Sequence, residues 1–422
     1  MYLLPKPKTI KEQDGQMLLC HSTHIVMTKE VAETEMHAAK RLQEAIRQET
    51  GLILPFSVGE VREGDLSLGI AKTLPEQTYE ITIDEKGGQI SGGDGAGVLY
   101  GVETFCQIVQ QCGGILPCVQ IQDAPDMPNR GYYFDQTRGR VLKLEELKKI
   151  ADRMCRYKLN QLQLYVEHTY LFRDFSEMWR DQTPLTAEEI RELDSYCRER
   201  HIELVPSLAS FGHLCTLLST KTYGDLCEME DSWKEPFSFW NRMRYHTINV
   251  SDVRSLPLIK KMIAEYMQLF SSNKFNICAD ETFCLGKYKS KKLAEERGVH
   301  RLYIDYVKEL AQFLVENGKI PMFWGDIIWN SPELMKELPE SMICLNWGYA
   351  PEQREDETRA IAQTGAVQYL CPGVCGWNQW ANLIENSYKN ITRMCGYAAK
   401  YHGIGVLNTD WGDFGHVNDP AF

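Results

Sequence analysis

Along this chain the spacing of apolar positions changes character near residue 125. Before it, the short runs His24–Met27, Leu66–Ile70 and Tyr79–Asp84 read as strands, the last alternating with a period of two. Ala32–Glu49 carries apolar residues at helical spacing. The glycine-rich stretch Ser91–Gly97 leads into a second helical run, Val98–Gln111. It lacks the Lys-Ser/Thr of a phosphate-binding loop and the GxGxxG spacing, so it reads as a strand-to-helix turn. Together these elements predict a small α+β unit over residues 1–125. The segment Asp123–Asn129, with two prolines and several polar turn formers, marks its boundary.

From residue 126 to 422 short apolar runs alternate with helical stretches. The strand candidates are Gly131–Asp135, Gln161–Val166, Ile202–Leu208, Phe275–Ala279, Ile320–Trp324, Met342–Trp347, Ala366–Cys371 and Ile404–Thr409. Helical spacing occupies Lys143–Tyr157, Ala187–Arg200, Leu256–Phe270, Arg301–Asn317, Pro351–Gln363 and Asn382–Lys400. Eight strands, each followed by a crossover, is the arithmetic of a (β/α)8 barrel. A doubly wound sheet also alternates, but polar and aromatic residues at nearly every strand end suit the barrel better. The eighth strand ends near Asp410, so the last barrel helix is expected to be missing and the chain to be a truncated form of a longer protein.

Composition narrows the function classes. The chain has 422 residues, 43% hydrophobic and 25% charged, which suits a soluble globular protein and excludes disorder and coiled coil. No apolar run approaches membrane-spanning length. Lys and Arg number 46 against 58 Asp and Glu, a net charge of −12, and no basic stripe for nucleic acid is visible. Fourteen cysteines are scattered with no CxxC pair and no zinc spacing, so neither a metal nor a cofactor is expected. Many free thiols and an N-terminus without a signal-peptide core predict a cytoplasmic location.

In barrels the chemistry lies at the C-terminal ends of the strands. The fourth candidate strand ends in Ala279-Asp280-Glu281-Thr282. Two adjacent carboxylates can divide acid and base roles, which is the logic of glycoside cleavage. Equally, Asp280 or Thr282 could simply cap a following helix. Trp324 and Asp326 end the fifth strand, Asn346 and Trp347 the sixth, and Asp410, Trp411 and Asp413 the eighth; Trp377 and Trp380 follow the seventh. A single tryptophan usually belongs to a core, but several at different strand ends suit the apolar faces of a sugar. The third strand leads to Phe211-Gly-His213 and then a long loop to about Thr247 with Trp233, Phe237 and Trp240. Loops of that length in compact barrels are usually functional. His213 fits either substrate binding or a supporting role.

These motifs resemble family 20 of the glycoside hydrolases, the β-N-acetylhexosaminidases. Arg130–Arg138 is similar to that family's opening strand, RGxxxDxxR; Tyr157–Asn160 to its second-strand entry; Phe211-Gly-His213 to its Pro-Gly-His; and Ala279-Asp280-Glu281 to its Gly-Asp-Glu. The N-terminal unit, with Gly97–Gln107, resembles its accessory domain. The resemblance covers nearly the whole chain and rests on the order and spacing of these motifs together.

It implies a retaining exo-glycosidase that removes a terminal β-linked N-acetylhexosamine from a glycan or small oligosaccharide, with the substrate's own 2-acetamido oxygen as nucleophile. Glu281 would be the general acid and Asp280 would hold the acetamido N–H. Arg130 would take ring hydroxyls, Trp324, Trp347 and Trp411 would wall the sugar, and Asp413 would bind outer hydroxyls. Neither nucleic acid nor membrane is implied as a partner, and a homodimer is open.

Three departures stand out. Glu167-His168-Thr169 occupies the place of an aspartate that pairs with the histidine. No tyrosine aligns after the seventh strand, where Tyr349 or Tyr369 could substitute. Ala279 replaces a glycine. They motivate two alternatives: a family member for a modified or galacto-configured hexosamine, or a non-catalytic carbohydrate-binding barrel.

Overall fold

The computed structural model describes residues 1–415. The chain forms two compact units. One holds Met1–Pro128 together with Lys149–Asn160 and Tyr196–Ile202; the other holds Asn129–Lys148, Gln161–Ser195 and the chain from Glu203 onward. No helix among the described residues is long and apolar enough to cross a membrane.

The first unit is built on seven strands: β1 (Thr9–Leu18), β2 (Ile25–Met27), β3 (Phe56–Val58), β4 (Leu66–Ile70), β5 (Tyr79–Asp84), β6 (Gly87–Gly92) and β7 (Ile115–Asp123). They form one mixed sheet in the order β1-β7-β5-β6-β4-β2-β3. In β5 the predicted alternation places Tyr79, Ile81 and Ile83 inside and leaves Asp84 exposed. The glycine-rich segment is the expected turn. Its Asp94 carboxylate accepts the Gly97 N–H at 2.8 Å and caps helix Gly95–Cys112. That helix buries Val98, Val102, Phe105 and Val109.

Two elements differ from the sequence expectation. Strand β1 has only Met17 buried and is held at the sheet edge by its antiparallel ladder to β7, so apolar periodicity carries no trace of it. The expected helix Ala32–Glu49 is two helices, Lys29–Thr34 and Met36–Thr50, because Glu35 leaves helical backbone at φ −120°, ψ 28°.

The second unit is the expected barrel. Its strands are β8 (Asn129–Asp135), β9 (Gln161–Val166), β10 (Glu203–Leu208), β11 (Lys274–Asn276), β12 (Ile320–Trp324), β13 (Ile343–Trp347), β14 (Val367–Cys371) and β15 (Gly405–Asp410). All pair in parallel, and β15 closes on β8 with Asp410 opposite Phe134. Helices cover the strands because their apolar residues recur at three and four. In Val299–Glu316, Val307, Leu310 and Leu314 all face inward. Burying each contributes about 1.5–3 kcal/mol, and Leu310→Ala would cost about 2–5 kcal/mol. A helix after β15 would begin beyond Gly415, so that expectation, and with it truncation, lies outside the described residues.

Strand β11 ends at Asn276, three residues before the expected Ala279. Cys278 and Ala279 take left-handed backbone, φ 57° and 64°, while the Cys278 carbonyl still accepts the Trp324 N–H of β12 at 2.9 Å. The turn they make places Asp280 and Glu281 at the barrel mouth.

Candidate active site at the barrel mouth

An open cavity of about 420 Å³ lies at the C-terminal ends of the strands, lined by Arg138, His213, Met243, Asp280, Glu281, Trp347, Tyr349, Trp377, Trp411 and Asp413. Asp280, Glu281, His213, Trp347, Trp411 and Asp413, which the sequence assigned to the site, therefore converge here, with Trp377 beside them; Arg130 and Trp324 do not.

The acid pair is held by strained backbone. Besides Cys278 and Ala279, Glu281 (φ 48°) and His213 (φ 58°) are left-handed non-glycine residues. Each such residue costs on the order of 1 kcal/mol and persists only where its surroundings enforce it. Part of that enforcement is close backbone approach: a Cβ on Gly212 would stand 2.6 Å from the Asp280 carbonyl oxygen. The Tyr303 hydroxyl donates to the Ala279 carbonyl at 3.0 Å, and the Glu281 N–H donates to Asp326 Oδ2 at 3.0 Å.

His213 Nε2 lies 3.6 Å from Asp280 Oδ2 and 3.4 Å from Glu281 Oε2. Burial alone would lower the pKa of this imidazole. The charge of Asp280, with its hydrogen bond and those of Glu281, outweighs burial and holds it up to about 10. His213 is thus an imidazolium at neutral pH, the counter-charge of two adjacent carboxyl groups. Its Nδ1 is sealed from water and has no hydrogen-bond partner.

Glu167 does not take the place of the aspartate expected beside that histidine. Its Oε1 accepts the Tyr165 hydroxyl at 2.9 Å, and its Oε2 accepts Arg242 Nη2 at 2.9 Å. Burial pushes this carboxyl up, but the Arg242 and Arg138 guanidinium groups prevail and hold its pKa at about 2. Arg242 sits on helix Phe239–Arg244 of the long loop after β10, so this pair ties the loop to the end of β9. The same helix brings Met243 to the cavity wall, where its sulfur accepts Arg138 Nη1 at 3.2 Å.

Arg130 is a correction. It sits at the entrance of β8, in register with Val406, five residues before Asp135. At about 3.3 Å per residue that is roughly 16 Å from the mouth, so Arg130 cannot meet a sugar there. The guanidinium at the mouth is Arg138. Its Nε donates to Asp135 Oδ2 at 2.7 Å, its Nη1 lies 2.9 Å from Asp413 Oδ1, and its Cζ is 5.0 Å from the centroids of the Tyr165 and Trp411 rings. Asp135 also accepts the Gly412 N–H at 2.9 Å, which binds the end of β15 to the end of β8. The opening motif holds both arginines, and the strand-end rule itself favours the second.

Trp324 is fully buried behind the cavity lining rather than on it. Its ring centroid lies 5.0 Å from that of Tyr133 and 5.6 Å from that of Trp411. The opposite wall stacks Trp347 on Tyr349 at 5.1 Å and sets Tyr349 edge-on to Trp377 at 5.1 Å. Gly373 permits that packing, since a Cβ there would lie 2.5 Å from the Trp377 ring. Of the two tyrosines that could replace the missing one, Tyr349 lines the cavity. Tyr369 accepts from Gln161 at the entrance of β9, away from it. Sequence reasoning missed Arg138 and Met243 as cavity residues; nothing in the loop sequence marks Met243.

This geometry agrees with three comparisons. Residues 128–402 match the catalytic-domain model of glycosyl hydrolase family 20, and residues 1–124 match that family's domain 2. A β-hexosaminidase of Porphyromonas gingivalis is 24% identical over 411 residues, covering 89% of this chain and 50% of that protein. The chain thus spans about half the length of the curated relatives it matches. Among solved structures, Streptomyces plicatus N-acetyl-β-hexosaminidase superposes with a TM-score of 0.80 at 19% identity, covering 99% of this chain and 86% of that one. An exo-β-N-acetylglucosaminidase of Vibrio harveyi, in complex with N-acetylglucosamine, has a TM-score of 0.79 at 19% identity, covering 99% and 70%. Motif order, barrel topology and the match over both units lead to one conclusion: this chain belongs to glycosyl hydrolase family 20.

Proposed function

We propose that this chain carries the activity of a retaining, exo-acting β-N-acetylhexosaminidase. The observation that carries the reading is the pair Asp280 and Glu281 beside one imidazolium, in a cavity walled by Trp347, Tyr349, Trp377 and Trp411.

In the first step the carbonyl oxygen of the substrate's 2-acetamido group bonds to C1. The C1–O bond to the leaving group breaks, and the proton of Glu281 passes to the leaving oxygen. The product is an oxazolinium whose N–H is held by the Asp280 carboxylate, an anion aimed at developing positive charge. In the second step Glu281, now a carboxylate, takes a proton from water. The water oxygen bonds to C1 as the oxazolinium ring opens, and the β configuration is retained. His213 stays charged throughout and offsets the negative charge of the pair. Arg138, set by Asp135 and Asp413, presents its fork to hydroxyls on the sugar's outer edge, and the indoles exclude water and stack on apolar ring faces.

Release of nitrophenol from the β-N-acetylglucosaminide, the β-N-acetylgalactosaminide and the plain β-glucoside tests this. Turnover of an N-acetyl sugar with silence on the glucoside is expected. Equal turnover of the glucoside would refute participation of the acetamido group, and silence on all three from folded protein would refute the activity.

A further inference from the structure

Asp326 belongs to the turn after β12, outside the cavity lining, and has no role in the scheme above. Its carboxyl is nevertheless tied to the acid. Oδ2 accepts the backbone N–H of Glu281, whose left-handed conformation aims its side chain at the mouth. Oδ1 is sealed from water and has no hydrogen-bond partner; Oδ1 of Asp280 shares that state, but the other Asp280 oxygen faces the His213 imidazole at 3.6 Å. An anionic oxygen in that state leaves its desolvation uncompensated.

The charges around it sharpen the point. The groups facing Asp326 are Asp280 and Glu281 from the turn after β11, Tyr303 from helix Val299–Glu316 and Cys344 from β13. None of them is a cation. His213 already serves both Asp280 and Glu281. With Glu281 holding the proton it donates, an ionised Asp326 would be a second anion beside Asp280 in a cluster with a single positive charge.

We propose that Asp326 is a positioning residue for the acid pair: it bears a proton in the resting protein, holds the Glu281 amide with one oxygen, and leaves Asp280 as the anion. The assignment rests on the hexosaminidase reading above for its catalytic meaning, but not for the proton. Burial, reinforced by the charge of Asp280, pushes this carboxyl up to about 8 and agrees with it.

Two variants and a spectrum test it. Asp326→Ala removes the acceptor for the Glu281 N–H and is expected to lower kcat by about a hundredfold, with KM changed less than about threefold. Asp326→Asn keeps an acceptor oxygen and a neutral group, so it is expected to recover most of that loss without moving the alkaline limb of the pH profile towards acid. A limb moved down by about one unit or more would mean that an anion had been removed beside Glu281, and would overturn the proposal. So would an alanine variant with normal kcat. Independently of turnover, the infrared difference between wild type and Asp326→Asn at pH 6 should contain the C=O band of a protonated carboxyl that fades above pH 9. Absence of that band overturns the proposal even if the hexosaminidase reading stands. Its presence in a protein inactive on every N-acetylhexosaminide supports the proton while refuting the activity.

Discussion

The indole N–H of Trp411 donates to the hydroxyl of Tyr349 at 2.7 Å. This bond joins the end of β15 to the loop after β13 and connects the two aromatic walls of the cavity. Tyr349→Phe removes the acceptor, leaves the Trp411 N–H unpartnered and takes away the one cavity-lining tyrosine hydroxyl among the described residues. We expect kcat on the N-acetylglucosaminide to fall by about tenfold or more, the scale of a lost transition-state hydrogen bond. Steady-state kinetics with a thermal melt as folding control decides it, and unchanged kcat would leave Tyr349 a purely structural residue.

The acid pair gives the strongest expectation. Asp280→Asn and Glu281→Gln should each lower kcat by at least about a hundredfold, the usual scale for a general acid or a charge-stabilising group. Near-normal turnover in either variant would remove that residue from its role.

Two arginines in one motif can be told apart by kinetics. Arg138→Lys keeps the charge but loses the fork that Asp135 and Asp413 set, and should raise KM by about tenfold. Arg130→Gln, at the far end of β8, should leave KM unchanged. The opposite result would restore Arg130 as the sugar ligand.

The charge on His213 makes stability depend on pH. Its folded pKa, about 10, lies above the ordinary value of 6.5. Its contribution is therefore fully present below pH 6.5 and is lost as pH rises towards 10. We expect the wild-type melting temperature to fall across that window and His213→Gln to flatten the fall. Parallel slopes in the two proteins would show that the imidazole is not charged.

Glu167 works with the opposite sign. Its pKa of about 2 in the fold, against 4.5 ordinarily, adds stability above pH 4.5 that is lost as pH drops towards 2. Removing one partner of a buried pair costs about 3 kcal/mol, so Glu167→Gln should lose roughly that amount at pH 7 and free the loop that carries Arg242 and Met243. Chemical denaturation at pH 7 and pH 3 measures both: the difference between variant and wild type at the second should be less than half of that at the first.

Local order along the chain already contained the barrel. The strand and helix periods, their alternation and the acid pair at the end of the fourth strand depend on neighbours a few residues apart, and period-two and period-3.6 burial write those neighbours into the sequence. Strand β1 escaped because an exposed edge strand is held by backbone hydrogen bonds, which any side chain permits. The site divides along the same line. Asp280, Glu281, His213, Trp347 and Trp411 follow from position at a strand end, whereas Trp324, chosen by the same rule, is buried behind the lining. The choice of Arg138 over Arg130, the Glu167–Arg242 tie across 75 positions, the return of Met243 to the wall and the support of Glu281 by Asp326 across 45 positions depend on where loops come back in space. Packing and charge decide that return, and only the tertiary structure holds both.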